Sequence, residues 1–192
     1  MIEEILAFSS WAMRYVGGAL AWTALVGIPL GILLRMRHPQ AVPLLLATLF
    51  TLFLTLTPLP DPTAVDCKPI VLQPFEGLGT ILYKLWYRNE LWRLLTDLIF
   101  VSSVMNVVFF MPVGAALLPF LRRSRMAAAC GLGLSLTIEF TQLTGLFGYY
   151  ECAYRHADVT DLMTNTLGVW LGFVVARWIA AARTARARRG RP

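Results

Sequence analysis

The stretch MAAACGLGLSLTIEFTQLTGLF, residues 126–147, is long and apolar enough to cross a bilayer, yet it contains Glu139 and Gln142. A membrane-spanning helix needs about 20 predominantly apolar residues. A charged side chain at the centre of such a helix costs about 2.5 to 3.5 kcal/mol, so an ionisable group there marks either a functional site or a buried partner. This stretch therefore predicts a membrane helix that carries a polar site.

The rest of the chain shares this apolar character. Its 192 residues are 57% hydrophobic and only 15% charged, which is too apolar for a soluble domain of this size. Five windows have the length of a membrane span, and they are Val16 to Leu34, Val42 to Leu59, Leu94 to Leu121, Met126 to Phe147 and Leu162 to Ala182. We predict an all-α, polytopic helical membrane protein with about five transmembrane helices, formed by one domain over residues 1–182 and a basic tail over residues 183–192.

The first window follows an acidic leader and no small-residue cleavage site follows it, so we interpret it as a retained span rather than a secretory signal. The net charge of +6 is distributed by loop rather than gathered on one face. Arginines follow spans one, three and five, and they are Arg35, Arg37, Arg122, Arg123, Arg125, Arg183, Arg186, Arg188, Arg189 and Arg191. The positive-inside rule predicts a multi-pass cell-membrane protein with its N-terminus outside and its C-terminus in the cytoplasm. Its surroundings are membrane lipids, and no nucleic-acid partner is expected.

Two loops are then expected to face outward, Pro60 to Arg93 and Gly148 to Thr160. The first contains several prolines and then a stretch, Glu76 to Arg93, that is interpreted as a short interfacial helix with tryptophans among charges. Cys67 and Cys152 fall one in each loop. An oxidising exterior permits a disulfide between them, but chance placement explains the pattern equally well.

Polar and small residues of span five share one face. On a helical wheel an arc of about 80° holds Asp158, Asp161, Asn165, Gly168 and Gly172. The Gly168 and Gly172 spacing favours close packing of another helix. A similar arc of span four holds Gly131, Ser135, Glu139 and Gln142, and the two faces are expected to meet around a pocket that opens outward.

Span three contributes Asn106, followed by Pro112 and Gly114. A proline inside a membrane helix frees a carbonyl that neighbouring helices must satisfy, so Pro112 and Gly114 are assigned to helix packing. Asp97 follows Thr96 at the start of this span and is interpreted as a helix cap.

Arg155 and His156 lie in the short loop above the expected pocket, where they have two interpretations. They either bind a ligand or form a structural salt-bridge network with Glu139, Asp158 or Asp161. The sequence offers no zinc-binding histidine pair and no nucleophile elbow, and we assign no catalytic residue, metal or cofactor.

Three segments together resemble the VanZ-like family, small bacterial membrane proteins named after a protein associated with low-level teicoplanin resistance. They are NVVFFMPVG from Asn106, SLTIEFTQ from Ser135 and RHADVTDLMTNTLG from Arg155. Their order and spacing agree with the family over Leu72 to Gly172. The segment Leu72 to Phe75 also resembles a turn of the family. Val71, directly before it, stands where the family usually has Asn.

The resemblance implies an integral membrane protein of the bacterial cell envelope, and it gives no reaction. The polar positions that match the family, and that we assign to ligand binding, are Asn106, Glu139, Gln142, Arg155, Asp158, Asp161 and Asn165. We expect them to bind an outer-leaflet amphiphile, either a lipid-linked cell-wall intermediate or a lipoglycopeptide such as teicoplanin. Two alternatives stay open. One is an intramembrane enzyme that uses Glu139 as general base and a metal on Asp158 or Asp161. The other is a structural partner in an envelope complex; the oligomeric state is undetermined.

Overall fold

The apolar segments of the sequence are helices in the computed structural model, which describes residues 13–35, 37–74 and 97–189. The helices are α1 (Met13–Arg35), α2 (Ala41–Leu56), α3 (Leu98–Ala116), α4 (Ser124–Leu143) and α5 (Val159–Arg189). The predicted all-α class is confirmed. The predicted interfacial helix, Glu76 to Arg93, lies outside the described residues.

The described helices are all apolar. Three of them, α1, α4 and α5, are long and apolar enough to cross a membrane, and α2 and α3 have 16 and 19 residues. Large apolar side chains on their surfaces are exposed, among them Ile32, Leu136 and Leu167, as expected where helices face lipid rather than water. The protein is thus membrane-embedded, and the number of crossings stays a prediction.

Several helix ends differ from the predicted spans. Helix α2 ends at Leu56, not Leu59, because a residue that precedes proline, here Thr57, is disfavoured in helical conformation. Helix α4 ends at Leu143 because Gly145–Gly148 is a left-handed turn with φ angles of 60, 58, 59 and 87°. Helix α5 continues to Arg189, since alanine and arginine are strong helix formers.

Helix α5 is the centre of the bundle, because it packs along both α3 and α4. A Cβ atom added to Gly168 or Gly172 would overlap the main-chain oxygen of Val107 or Met111 on α3, and one added to Gly114 would overlap that of Val169. The backbones of α3 and α5 therefore lie in direct contact. Next to this contact is the buried core, formed by Phe110, Val113, Leu117, Ala127, Ile138, Val169 and Phe173.

A small parallel β-ladder joins the segment that follows α2 to the segment that precedes α5. Strand β1 (Ile70–Val71) pairs with β2 (Ala157–Asp158), with Ile70 opposite Ala157 and Val71 opposite Asp158. Cys67 and Cys152 are joined in a disulfide beside this ladder, with their Cα atoms 5.6 Å apart. The ladder and the disulfide fix the loop before α5, and with it the position of Arg155 and Asp158.

Candidate functional site

The C-terminal end of α2 is capped by side chains from distant parts of the chain. Arg155 donates to the carbonyl oxygens of Thr55 at 2.7 Å and Thr57 at 3.1 Å. Gln142 Nε2 also donates to the Thr55 oxygen at 2.9 Å, and the Tyr154 hydroxyl donates to the Leu56 oxygen at 3.3 Å. The last carbonyls of a helix have no intrahelical partner and carry partial negative charge, so they are natural acceptors for a guanidinium group.

This arrangement corrects the structural interpretation of Arg155, which was a salt-bridge network. In the described residues, Arg155 donates to these carbonyls rather than to Glu139, Asp158 or Asp161, and its guanidinium lies 5.5 Å from the ring centre of Tyr15. Arginine over an aromatic face gains a cation–π interaction. The physical reason for the correction is that α2 ends directly beside the loop, a proximity that sequence spacing does not show.

Glu139 and Asp158 together fix the start of α5. The Asp158 backbone N–H donates to Glu139 Oε2 at 2.9 Å, and Asp158 Oδ1 accepts a hydrogen bond of 2.7 Å from the Thr160 N–H. Asp158 is therefore the N-terminal cap of α5. The Asp158 side chain lies at the positive end of the helix dipole, which favours negative charge.

Two amide side chains link α5 to its neighbours. Asn106 Nδ2 on α3 donates to Asp161 Oδ1 at 2.7 Å, and Asn165 Nδ2 donates to Ser135 Oγ on α4 at 3.0 Å. Asn165 is buried, with only 2% of its surface exposed. The polar faces predicted on spans three, four and five thus meet inside the bundle.

A cavity of about 550 Å³ opens above this network. Its polar lining consists of Tyr15, Lys68, Gln142, Tyr154, Arg155, His156 and Asp161, and Pro58, Leu59 and Pro60 complete the wall. Burial raises the pKa of Tyr154, so its hydroxyl remains a neutral hydrogen-bond donor around physiological pH. A hydrogen bond from Lys68 lowers the pKa of Asp66, which lies outside the cavity lining.

Two buried amide oxygens have no hydrogen-bond donor among the described residues, Gln142 Oε1 and Asn165 Oδ1. A buried acceptor without a partner costs about 1 to 3 kcal/mol. Gln142 is 5% exposed and is part of the cavity lining. The oxygen itself is buried, so an external donor would reach it only after this side chain turns toward the cavity.

The predicted ligand-binding residues thus fall into two groups. Gln142, Arg155 and Asp161 line the cavity, whereas the other four lie in the hydrogen-bond network beside it: Asn106, Glu139, Asp158 and Asn165. Pro112 lies within α3, which continues to Ala116. In the described part of the chain, no three His, Cys, Asp or Glu side chains form a group that would hold a metal ion.

Sequence analysis did not assign Tyr15, Lys68 or Tyr154 to ligand binding, although all three line the cavity. His156, for which ligand binding was one of two interpretations, lines it as well. Lys68 is brought there by the disulfide of its neighbour Cys67, and by its own backbone N–H, which donates to the Ala153 oxygen at 2.8 Å. The cysteine pair was the available signal for this proximity. The expectation that Asp97 caps a helix is confirmed, because its Oδ1 accepts a hydrogen bond from the Phe100 N–H at 3.2 Å.

Comparison with known proteins gives one match. No curated protein and no solved structure matches the chain. A family model described as VanZ/LLP1 matches residues 44–180, which is more than half of the chain and runs from within α2 to within α5. The resemblance seen in the three sequence segments is confirmed, and the chain belongs to the VanZ/LLP1 family.

Proposed function

We propose that the cavity between α2, α4 and the loop before α5 binds the polar head of an amphiphile from the outer leaflet of the cell membrane. The ligand is either a lipid-linked cell-wall intermediate or a lipoglycopeptide such as teicoplanin. Its phosphate or carboxylate would lie among the cationic side chains, while its apolar tail stays in the surrounding lipid. The protein would act by binding this ligand in the bacterial envelope rather than by turning it over.

The observation that carries this proposal is the concentration of basic groups in one cavity of about 550 Å³. Lys68, Arg155 and His156 line it together with a single carboxylate, that of Asp161. Arginine presents a planar pair of donors that matches phosphate and carboxylate, and lysine adds a point charge. Lys68 also pairs with Asp66, which lies outside the lining, so it is the donors of the three basic side chains, rather than a net positive charge, that favour an anionic headgroup.

Two further features support a ligand of mixed character. The buried Gln142 Oε1 lacks a donor among the described residues, and hydroxyl or amide groups of a glycan or peptide would supply one after this side chain turns toward the cavity. The aromatic and proline part of the wall, including Tyr15 and Tyr154, offers apolar contact beside the charges. Sites for small ligands commonly combine an apolar wall with a few fixed polar groups.

The orientation that this function requires has its own support. The Cys67–Cys152 disulfide lies beside the cavity, and disulfides persist in oxidising compartments outside the cytoplasm. Arg122, Arg123 and Arg125 lie at the opposite end of α4, where the positive-inside rule favours the cytoplasm. With the N-terminus outside and the C-terminus inside, the cavity opens to the outer leaflet.

A second candidate function is favoured by the hydrogen-bond network. Asn106, Glu139, Asp158 and Asn165 all have internal partners, as expected if these groups only fix helix packing for assembly with another envelope protein. In that case, substitutions in the cavity would leave ligand binding and antibiotic susceptibility unchanged, while substitutions in the network would destabilise the bundle.

The test is ligand binding by the purified full-length protein in lipid nanodiscs. The probes are teicoplanin and a short-chain, pyrophosphate-linked analogue of a cell-wall lipid intermediate. We expect saturable binding of at least one probe, and a loss of about tenfold in affinity in Lys68→Gln/His156→Gln, because charge-assisted hydrogen bonds are removed. Arg183→Gln/Arg186→Gln, which removes two charges from the exposed end of α5, is the matched control and should bind like the wild type.

Glu139→Gln tests whether the hydrogen-bond network beneath the cavity takes part in ligand binding. The fold is expected to persist, because the amide keeps an oxygen acceptor for the Asp158 N–H. Unchanged binding by a folded Glu139→Gln protein would remove Glu139 from the ligand site while leaving the cavity proposal intact. Failure of both probes to bind the wild-type protein would contradict the proposed function. Turnover of the lipid analogue that stops with a chelator would instead favour the enzyme alternative.

A further inference from the structure

A second cavity lies at the other end of the bundle, and its lining is almost entirely arginine. It has a volume of about 460 Å³ and is lined by Arg122, Arg123, Ser124, Arg125 and Arg177. At about 1.5 Å per residue, Arg125 is about 25 Å along α4 from Gln142, so this cavity is separate from the one described above. We propose that it binds a phosphate group, carried by an anionic lipid headgroup or free in solution.

The four guanidinium groups come from two distant parts of the chain. Arg122 and Arg123 directly precede α4, Arg125 lies in its first turn, and Arg177 is on α5. Arg177 NH1 donates to the main-chain oxygen of Arg122 at 3.2 Å, which links α5 to the α3–α4 loop. The positive-inside rule requires only that the loop itself be basic. Here Arg177 adds a positive charge from another helix to the same cavity.

Among the residues that the structure describes, no anionic side chain balances this charge. The lining contains no carboxylate, and the one ion pair within the described residues, Lys68 with Asp66, belongs to the loop beside the disulfide. Like charges gathered in one cavity repel each other, so an anion placed among them lowers the electrostatic energy. Each guanidinium presents a planar fork of donors that fits two phosphate oxygens.

The N-terminus of α4 adds to the positive electrostatic potential of this cavity. Arg123 is its N-cap residue and makes no side-chain capping hydrogen bond. The first N–H groups of a helix lack intrahelical partners and form the positive end of its dipole, which favours anions. Ser124, the first residue of α4 and part of the cavity lining, contributes a hydroxyl group at this point.

The neighbouring surface fits a phosphate that is attached to a lipid. Phe120 and Met126 flank the three loop arginines in the chain, Trp178 follows Arg177, and all three of these apolar side chains are exposed, Trp178 by 71%. Tryptophan is enriched at the headgroup level of membranes. Basic pockets between membrane helices on the cytoplasmic side are also known to bind anionic headgroups.

The experiment measures binding to the purified full-length protein in detergent with three probes. They are short-chain phosphatidylglycerol below its micelle concentration, short-chain phosphatidylcholine and inorganic phosphate. The test variant is Arg125→Gln/Arg177→Gln, and the charge-matched control is Arg186→Gln/Arg189→Gln in the exposed end of α5. Gel filtration and thermal unfolding establish that each variant is folded.

We expect saturable binding that the test variant weakens by at least about tenfold and the control by less than about twofold, because only the test variant removes forked contacts to phosphate. Phosphatidylglycerol that binds more tightly than inorganic phosphate and phosphatidylcholine assigns the site to an anionic lipid. Similar affinities of phosphatidylglycerol and inorganic phosphate assign it to phosphate itself. Equal weakening by the control, or no saturable binding of any probe, would overturn the proposal.

Arg125→Lys/Arg177→Lys is a second, more conservative variant, which keeps the proposal testable if the glutamine variant does not fold. It keeps both positive charges and loses both guanidinium forks. We expect a folded protein whose affinity for the bound probe is reduced by about threefold or more. Wild-type affinity in this variant would show that the arginines act only through net charge, which contradicts a built phosphate site.

Discussion

Arg155 illustrates at the scale of one residue how a charged group is accommodated beside apolar helices. Its guanidinium donates to two main-chain oxygens at the end of α2 and lies over the Tyr15 ring. The charge thereby compensates the negative end of a helix dipole instead of pairing with a carboxylate. Arg155 thus supports the fold and also lines the cavity, so its structural contribution and its proposed contact with a ligand need separate experiments.

Arg155→Lys tests the structural role. Lysine keeps the charge, but one ammonium group does not reproduce a planar fork that joins Thr55 and Thr57. We expect a loss of about 1 to 3 kcal/mol in stability, because at least one hydrogen bond to a charged donor disappears. The measurement is thermal unfolding of the purified protein in detergent.

The control for this prediction is Arg183→Lys on the exposed part of α5. A surface substitution of this kind changes stability by about 0.5 kcal/mol or less. If Arg155→Lys unfolded at the same temperature as the wild type, the cap on α2 would not contribute to stability.

At the scale of the helices, the contact between α3 and α5 depends on glycine. Gly172 lies against the main chain of Met111, and Gly168 against that of Val107. Small residues allow this approach, and lipid-exposed helices associate largely through such packing. The contact in turn brings Asn106 to Asp161, so the site depends on the packing.

Gly172→Ala should therefore destabilise the bundle. The added methyl group has no space beside the Met111 carbonyl, and overpacking of this kind costs about 1 to 3 kcal/mol. Gly133→Ala is the matched control, since Gly133 lies on α4 with no atom within 4 Å of an added Cβ.

Relative to the wild type, the unfolding temperature should fall in Gly172→Ala and stay the same or rise in Gly133→Ala. Alanine favours a helix over glycine by about 1 kcal/mol, so Gly133→Ala should be neutral or stabilising. Thermal unfolding of both proteins in the same detergent measures the difference. A Gly172→Ala protein as stable as the Gly133→Ala protein would contradict the direct backbone contact.

At the scale of the whole molecule, the two cavities lie at opposite ends of α4, one beside the disulfide and one among arginines. Their assignment to the two leaflets depends on the orientation of the chain. The loop arginines predict a cytoplasmic α3–α4 loop and a cytoplasmic C-terminus.

Reporter fusions after Arg189 test this orientation in bacterial cells. We expect green fluorescent protein at this position to fluoresce and alkaline phosphatase to be inactive, because the former folds in the cytoplasm and the latter needs the oxidising exterior for its disulfides. The same reporters placed after Asp66, next to Cys67, serve as the control and should give the reverse pattern. Active phosphatase after Arg189 would place the C-terminus outside and exchange the leaflets of the two cavities.

The sequence by itself determined the class of the protein. Long apolar windows interrupted by Glu139 and Asn106 require membrane helices with internal partners, since hydrocarbon offers none. The order of three motifs identified the family, later matched over residues 44–180. Asp97 was assigned as a cap because that role depends only on neighbours in the chain.

Only the tertiary structure decided which groups meet. Arg155 contacts Thr55 and Thr57, about a hundred residues earlier, and Lys68 reaches the cavity through a disulfide between residues separated by 85 positions. Helical periodicity predicts the face on which a side chain lies, but not the loop or helix end that covers that face. The partners of the polar groups, the lining of both cavities and the capped end of α2 arise from long-range packing, and for that reason a pattern read along the chain did not contain them.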